Sequence, residues 1–357
     1  MNPILQPFAK YQQFRDPVGL VSRMLRSRES GATFALTRAA LEVLAAPMDL
    51  ALQPFERRLI SAARGNPLPI VQIVGPPRSG TTMAYQVLSH GLPYAYFDNL
   101  NSLFPRSAIT AGRLFGVSKR RPDPQARSYY GNTSGLRGTN DGFHVWDRWL
   151  GEDRSRVVDP LPDPVQEDML RFFRAWFAHF PRPLLTKHNQ NLLCMETLAR
   201  ALPSTIFVVV VRDPVYTAQS LLIARERIQG DRRIPWGLGA RNDQPPGTVS
   251  DPVLDVANQV RTIFASLREQ IRTAPSDRVL CVRYADFCAA PQRWADEVHR
   301  LVEQQWQPSE PLQRPTLDAI CLDSEDRVRL SVGEFERMEA LLADERDEFA
   351  SGRLFDT

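Results

Sequence analysis

Lysine is almost missing from this sequence of 357 residues: of 44 basic side chains, only Lys10, Lys119 and Lys187 are lysines. Arginine is the default cation, in a composition also rich in Ala and Pro, so each lysine is conspicuous. An excess of either charge is missing too. The 44 basic residues face 41 acidic ones, a formal net charge of +3. That surplus gives no argument by itself for a nucleic-acid partner or an anionic membrane surface, and any anion site has to be built locally. The four cysteines (Cys194, Cys281, Cys288 and Cys321) show no C-x-x-C spacing, which excludes a disulfide mini-scaffold and suits a reducing, cytoplasmic location. No apolar run approaches the roughly 18 residues of a membrane span, and the N-terminus lacks the pattern of a secretory signal. Metal-ligand motifs such as H-E-x-x-H are also lacking, so no metal is expected.

What is present is ordinary globular composition, 43% hydrophobic and 24% charged, which excludes wholesale disorder and collagen-like repeats. The length admits one large domain with insertions or two smaller ones. The pattern favours a helical N-terminal extension over 1–65 and a single α/β domain over 66–357. Residues 18–63 carry apolar side chains at helical spacing, with two or three short helices, broken or kinked near Pro47 and Pro54, expected rather than one long one. The apolar richness of 43–52 raises an interfacial role, toward lipid or a second subunit forming a homodimer, beside the simpler role of a cap on the core.

Strands are expected at 70–74, 94–97, 184–187, 204–211 and 279–284. Helices are expected at 81–90, 164–180, 192–202, 214–227, 253–273, 291–305 and 333–349. This alternation predicts a parallel β-sheet flanked by helices on both faces. The stretches near 98–142 and 229–252 lack periodicity and are rich in Gly, Pro and Arg, so they read as substrate loops.

Between the first strand and its helix lies Gly75-Pro76-Pro77-Arg78-Ser79-Gly80-Thr81-Thr82. Backbone N–H groups and a helix N-terminus converge on an anion at such a turn. The spacing is that of a nucleotide phosphate loop, but Thr81 stands where the nucleoside-triphosphate version requires lysine. Arg78 supplies a cation within the loop instead. A second candidate follows the most hydrophobic strand: Arg212-Asp213-Pro214, then Ser220 on the helix that Pro214 opens. A guanidinium at a strand end and a hydroxyl on the next helix can reach one phosphate. Arg212 paired only with its neighbour Asp213 is the bland alternative.

Together these motifs resemble the sulfotransferases that use 3′-phosphoadenosine 5′-phosphosulfate, over roughly residues 70–300. The resemblance implies a P-loop-like fold and assigns Arg78, Ser79, Gly80, Thr81 and Thr82 to the 5′ end of the donor. Arg212 and Ser220 would hold its 3′-phosphate. Tyr284, in Arg283-Tyr284-Ala285-Asp286, is similar to the tyrosine that lies by the adenine, although Ala285 replaces an acidic residue. Arg78 in place of lysine looks closer to bacterial and carbohydrate-type members. The implied product is adenosine 3′,5′-bisphosphate.

Sulfuryl transfer spreads charge over three oxygens, so it is served by positioning and by cations such as Arg78 and Lys187. A hydroxyl acceptor also calls for a base, and histidine suits neutral pH. Of five histidines, His144 lies where a loop meets an aromatic-rich segment, and His188 follows Lys187 at a strand end. The family's cytosolic members often carry a catalytic histidine two residues after that lysine, where this chain has Asn189. Strand alternation puts Lys187 and Asn189 on one face and turns His188 away. His144 is therefore the first candidate, His188 the second, and Asp98 or another carboxylate the third. The acceptor is a small molecule, carbohydrate or lipid hydroxyl, or an amine. A P-loop kinase and a non-catalytic nucleotide-binding protein are the alternatives.

Overall fold

The computed structural model describes residues 16–27, 29–116, 131, 133–151, 160–239, 249–306, 311–317, 322 and 326–355. Lys10, Lys119, Cys321 and parts of both irregular stretches lie outside the described residues. Five strands, β1 (Ile70–Val74), β2 (Ala95–Tyr96), β3 (Leu184–Lys187), β4 (Thr205–Val211) and β5 (Val279–Arg283), form a sheet in the order β2-β3-β1-β4-β5. Every pairing is parallel, with Ile70 of β1 in register with both Leu184 and Thr205.

The helices are α1 (Pro17–Ser27), α2 (Ser30–Ala62), α3 (Thr81–Gly91), α4 (Ala108–Phe115), α5 (Phe143–Leu150), α6 (Asp163–His179) and α7 (Met195–Ala201). They continue with α8 (Pro214–Gln229), α9 (Pro252–Thr273), α10 (Tyr284–Ala289), α11 (Pro291–Gln305), α12 (Val332–Leu341) and α13 (Ala343–Ser351). Successive strand side chains point to opposite faces, so an uninterrupted apolar strand feeds two cores. Val71, Ile73, Val208 and Val210 pack with Tyr85 and Leu88 of α3 and Val298 of α11. Val74, Phe207, Val209 and Val211 pack on the other face with Phe173 and Trp176 of α6, Leu221 of α8 and Phe264 of α9. The α/β class with helices on both faces is thus observed.

The N-terminal stretch departs from expectation. Pro47 and Pro54 do not break it: α2 runs unbroken for 33 residues with both prolines inside. Both lie on the exposed side, where the carbonyls they release, those of Val43 and Leu50, can be met by water. The opposite side is pinned. Asp49 accepts from Arg106 N at 3.1 Å and Ser107 Oγ at 2.7 Å. One helical turn pair further on, Glu56 accepts from Ile109 N at 3.0 Å, Thr110 N at 2.8 Å and Thr110 Oγ1 at 2.8 Å. Glu56 thereby satisfies open N–H groups at the start of α4, while Asp49 holds Arg106 N and the Ser107 hydroxyl just ahead of it. A segment expected to be irregular becomes helical because its cap comes from 53 residues away.

Glu56→Ala leaves three buried donors without an acceptor and is expected to cost about 2–3 kcal/mol of stability. Denaturant unfolding monitored by circular dichroism checks this; a loss below about 0.5 kcal/mol contradicts it. Two smaller departures follow. The expected helix 192–202 begins as a 3-10 turn, Asn189–Cys194, before α7. The expected helix 333–349 is divided at Leu342 into α12 and α13.

Candidate functional site

All five strands are parallel, so the loops that follow them gather at one edge of the sheet. The chain runs from β1 to β2 and β3 on one side, then to β4 and β5 on the other. The crevice between β1 and β4 is therefore the point where ligands bind in open α/β sheets. The loop after β1 enters it through Gly75, where an added Cβ would lie 2.1 Å from Val210 O. Arg78 follows at φ 70°, the single non-glycine with positive φ among the described residues. Such a conformation costs about 1–2 kcal/mol and persists only where surroundings enforce it.

Ser79 is buried and donates to Val210 O at 2.8 Å, tying the loop to β4. Gly80, at φ 92°, lies under the Tyr284 ring, and an added Cβ would sit 2.1 Å from Tyr284 Cδ2. Thr81 opens α3 and its hydroxyl contacts Asn189 Oδ1 at 3.0 Å. Thr82 is partly exposed.

The second motif meets the first directly. Arg78 Nε donates to Ser220 Oγ at 3.0 Å, joining the loop after β1 to α8, which follows β4. Arg78, Arg212, Tyr216 and Ser220 line one cleft with Arg227, Arg327 and Arg329. Arg212 does not pair with Asp213. Its Nε donates to Asp326 Oδ1 at 2.7 Å, and its guanidinium lies 5.7 Å from the centre of the Tyr284 ring. Asp213 instead caps α8 through Val215 N at 2.8 Å and bonds Arg346 at 3.1 Å.

Arg327 and Arg329 are cleft residues that the sequence reading missed. Gln219 of α8 holds their backbone, donating to Arg327 O at 2.9 Å and accepting from Arg329 N at 2.6 Å.

On the other flank of the loop, Lys187 ends β3. It is buried, and its Nζ contacts Asp141 Oδ2 at 2.6 Å. Asp141 also lies beside Gly131, whose added Cβ would be 3.6 Å from Asp141 Oδ2 and 4.0 Å from Thr82 Oγ1. His188 is wholly buried, with its ring 4.4 Å from that of Phe143, turned from Lys187 as strand alternation requires. His144 lies on α5, buried, with Nε2 2.7 Å from Asn101 Oδ1 and its ring edge-on to Phe97. Neither imidazole lines the arginine cleft. Asp98 is buried and accepts from Arg137 Nη1 at 2.9 Å and Asn101 N at 2.7 Å. Burial pushes its carboxyl above the ordinary range, against the lowering effect of those bonds. Its contacts hold the loop 133–140 in place. Among the described residues, no group of three or more His, Cys, Asp or Glu could hold a metal ion.

The fold and this edge define a class: a P-loop-like α/β protein with an arginine-lined cleft at the carboxyl ends of its parallel strands. Within that class the chain belongs to the sulfotransferase family, whose model matches residues 69–308. A search of curated proteins finds no match in sequence. Among solved structures, sulfotransferase STF9 from Mycobacterium avium is 14% identical, with 89% of this chain and 85% of that chain covered and a TM-score of 0.48. Sulfotransferase STF1 from Mycobacterium tuberculosis is 10% identical, with 92% of each chain covered and a TM-score of 0.47. A sulfotransferase from Alicyclobacillus acidocaldarius is 13% identical over 79% of this chain and 95% of that chain, at a TM-score of 0.41.

Proposed function

We propose that the chain moves a sulfuryl group from 3′-phosphoadenosine 5′-phosphosulfate to a hydroxyl of a small molecule, carbohydrate or lipid, with an amine as the lesser alternative. The observation that carries this reading is the 3.0 Å contact of Arg78 with Ser220, which puts both anion motifs in one cleft. The donor's 5′ end would lie on the loop. Ser79 and Thr81 turn their hydroxyls inward, so their backbone N–H groups, Gly80, Thr82 and the Arg78 guanidinium would serve it. Arg212, Ser220 and the pair Arg327 and Arg329 would hold the 3′-phosphate, and Tyr284, flat against Gly80, would border the adenine.

In the transfer step an acceptor oxygen forms a bond to sulfur as the bond from sulfur to the 5′-phosphate oxygen breaks. Lys187 and Arg78 offset the charge on the sulfuryl oxygens and the leaving phosphate. The acceptor proton goes to a base. Asp141 is the base in this proposal, because it is partly exposed and contacts Lys187, whereas the rings of His144 and His188 are buried among other partners. Donor anions that draw Lys187 toward themselves would leave the Asp141 carboxylate open to the acceptor hydroxyl.

The test is incubation of the pure protein with the donor and a panel of hydroxyl acceptors. Release of adenosine 3′,5′-bisphosphate with a gain of about 80 Da on one acceptor supports the reading. Absence of any such gain across phenols, sugars and lipids contradicts it. Asp141→Asn is expected to lower kcat by roughly 10²–10⁴-fold with product-nucleotide affinity held within about threefold. A His144→Asn variant with the larger loss would move the base to His144.

A further inference from the structure

The long helix α2 is inside out. Its acids face the protein, with Asp49 and Glu56 fully or almost fully buried. Between residues 40 and 55 every exposed position is apolar. The large ones are Val43 (49% exposed), Leu44 (75%), Met48 (43%), Leu50 (41%) and Phe55 (53%), and the others are alanine and proline. A helix of a soluble domain normally turns such a stripe toward the core. Contiguous exposure of this kind marks an interaction surface.

On α2 itself the exposed charge beside the stripe is of one sign. Arg57 and Arg58 are exposed at its C-terminal end, with Arg58 Cζ 5.9 Å from the centre of the Phe55 ring. No Asp or Glu is exposed anywhere on α2. The neighbouring helix α4 adds exposed Arg113, Leu114 and Phe115.

We infer that this face docks on an anionic lipid surface, with α2 lying in the plane of the headgroups. The apolar stripe would enter the acyl boundary while the arginines meet lipid phosphates. The carbonyls of Val43 and Leu50, freed by Pro47 and Pro54, would find donors among hydrated headgroups, which a dry protein interface or the hydrocarbon core does not offer. A second copy of the chain would bring like charge to like, since α2 exposes no carboxylate to meet a twin's arginines. Crossing the bilayer is a different matter, because no helix among the described residues is long and apolar enough to do so.

Docking here bears on the candidate site. Glu29, which precedes α2, lines the arginine cleft, and Ser30 Oγ bonds Ser134 Oγ at 3.0 Å in the loop beside Asp141. The apolar face starts about ten residues, roughly 15 Å, along the helix from that end. The cleft would therefore be carried close to the membrane surface, within reach of a lipid-borne hydroxyl.

The experiment is flotation of the full chain with phosphatidylcholine vesicles and with vesicles containing about 30% phosphatidylglycerol, a composition chosen to supply negative surface charge. Wild type is expected to float with the anionic vesicles and to partition to neutral ones at least about tenfold less. The variant Leu44→Ser/Met48→Ser/Phe55→Ser should lose about a hundredfold in partitioning, and Arg57→Gln/Arg58→Gln about thirtyfold. Both variants should keep the far-UV circular dichroism and the cooperative thermal transition of wild type, which reports an intact fold independently of whether the chain is a sulfuryl transferase. Wild type left unbound by anionic vesicles overturns the inference. So does partitioning that the triple variant leaves unchanged, or light scattering that shows a dimer dissolved by that variant, which would assign the face to a second copy.

Discussion

Gly80→Val is expected to abolish the proposed donor binding and to destabilise the fold by about 3 kcal/mol or more. Two effects add. The backbone at Gly80 sits at φ 92°, a region that a β-branched residue enters at a cost above the ordinary 1–2 kcal/mol. The new Cβ would also fall 2.1 Å from the Tyr284 ring, which has to move or push the loop away from β5. The second effect can be separated from the first. Adding Tyr284→Ala to Gly80→Val removes the overlap and should return part of the stability while leaving binding weak, because the loop amides still point wrongly. Equilibrium unfolding and calorimetry on the two variants read both quantities. A Gly80→Val protein with wild-type affinity would show that the loop does not hold the donor.

Arg212→Ala should weaken binding of adenosine 3′,5′-bisphosphate by about a hundredfold while leaving the melting temperature within a few degrees. A charge-assisted contact to phosphate is worth about 1.5–3 kcal/mol, and its loss here exposes the phosphate to Asp326, the carboxylate that Arg212 now neutralises. The side chain sits at the cleft rim, 21% exposed, so stability depends on it little. Asp326→Asn carries the opposite sign. The carboxylate competes with a phosphate for the same guanidinium, so removing its charge should raise affinity about threefold or more. Calorimetric titration of both variants against wild type decides. Equal affinity in Arg212→Ala would dissociate the residue from the ligand.

The strands were legible because a parallel sheet buried on both faces writes itself as short apolar runs: Ile70–Val74 and Leu184–Lys187 have the expected limits, and Thr205–Val211 differs by one residue. Their order in the sheet was not legible, since periodicity says nothing of which strand lies beside which. Helix α4 was missed for a definable reason. Ser107 stands at its N-cap but turns its hydroxyl to Asp49, and the open N–H groups of Ile109 and Thr110 are met by Glu56, so the start of α4 rests on contacts distant in sequence. The opposite error at Pro47 and Pro54 has the same root, for the contacts of those two acids hold α2 straight through two residues that weaken a helix in isolation.

At the site, spacing marked two separate anion motifs and the family resemblance assigned them to one donor; Arg78 and Ser220 meet across 142 residues of sequence. Neither found Asp141, whose position beside Lys187 depends on how the loop before α5 folds back over β3. The environment of the two histidines was not legible either: His144 is buried beside Asn101 and Phe97, and His188 against Phe143. Two further arginines of the cleft, Arg327 and Arg329, come from a segment more than 100 residues beyond Ser220, clasped by Gln219.

The central claim is that the cleft spanned by Arg78, Ser220 and Arg212 grips a doubly anionic adenosine nucleotide. Isothermal titration of the pure chain, with adenosine 3′,5′-bisphosphate in one cell and ATP with Mg²⁺ in another, tests it most directly. The account predicts one site of about 10 µM or tighter for the bisphosphate, near −7 kcal/mol, and binding of the triphosphate at least about a hundredfold weaker. Equal affinities, or tighter binding of ATP with Mg²⁺, would contradict it.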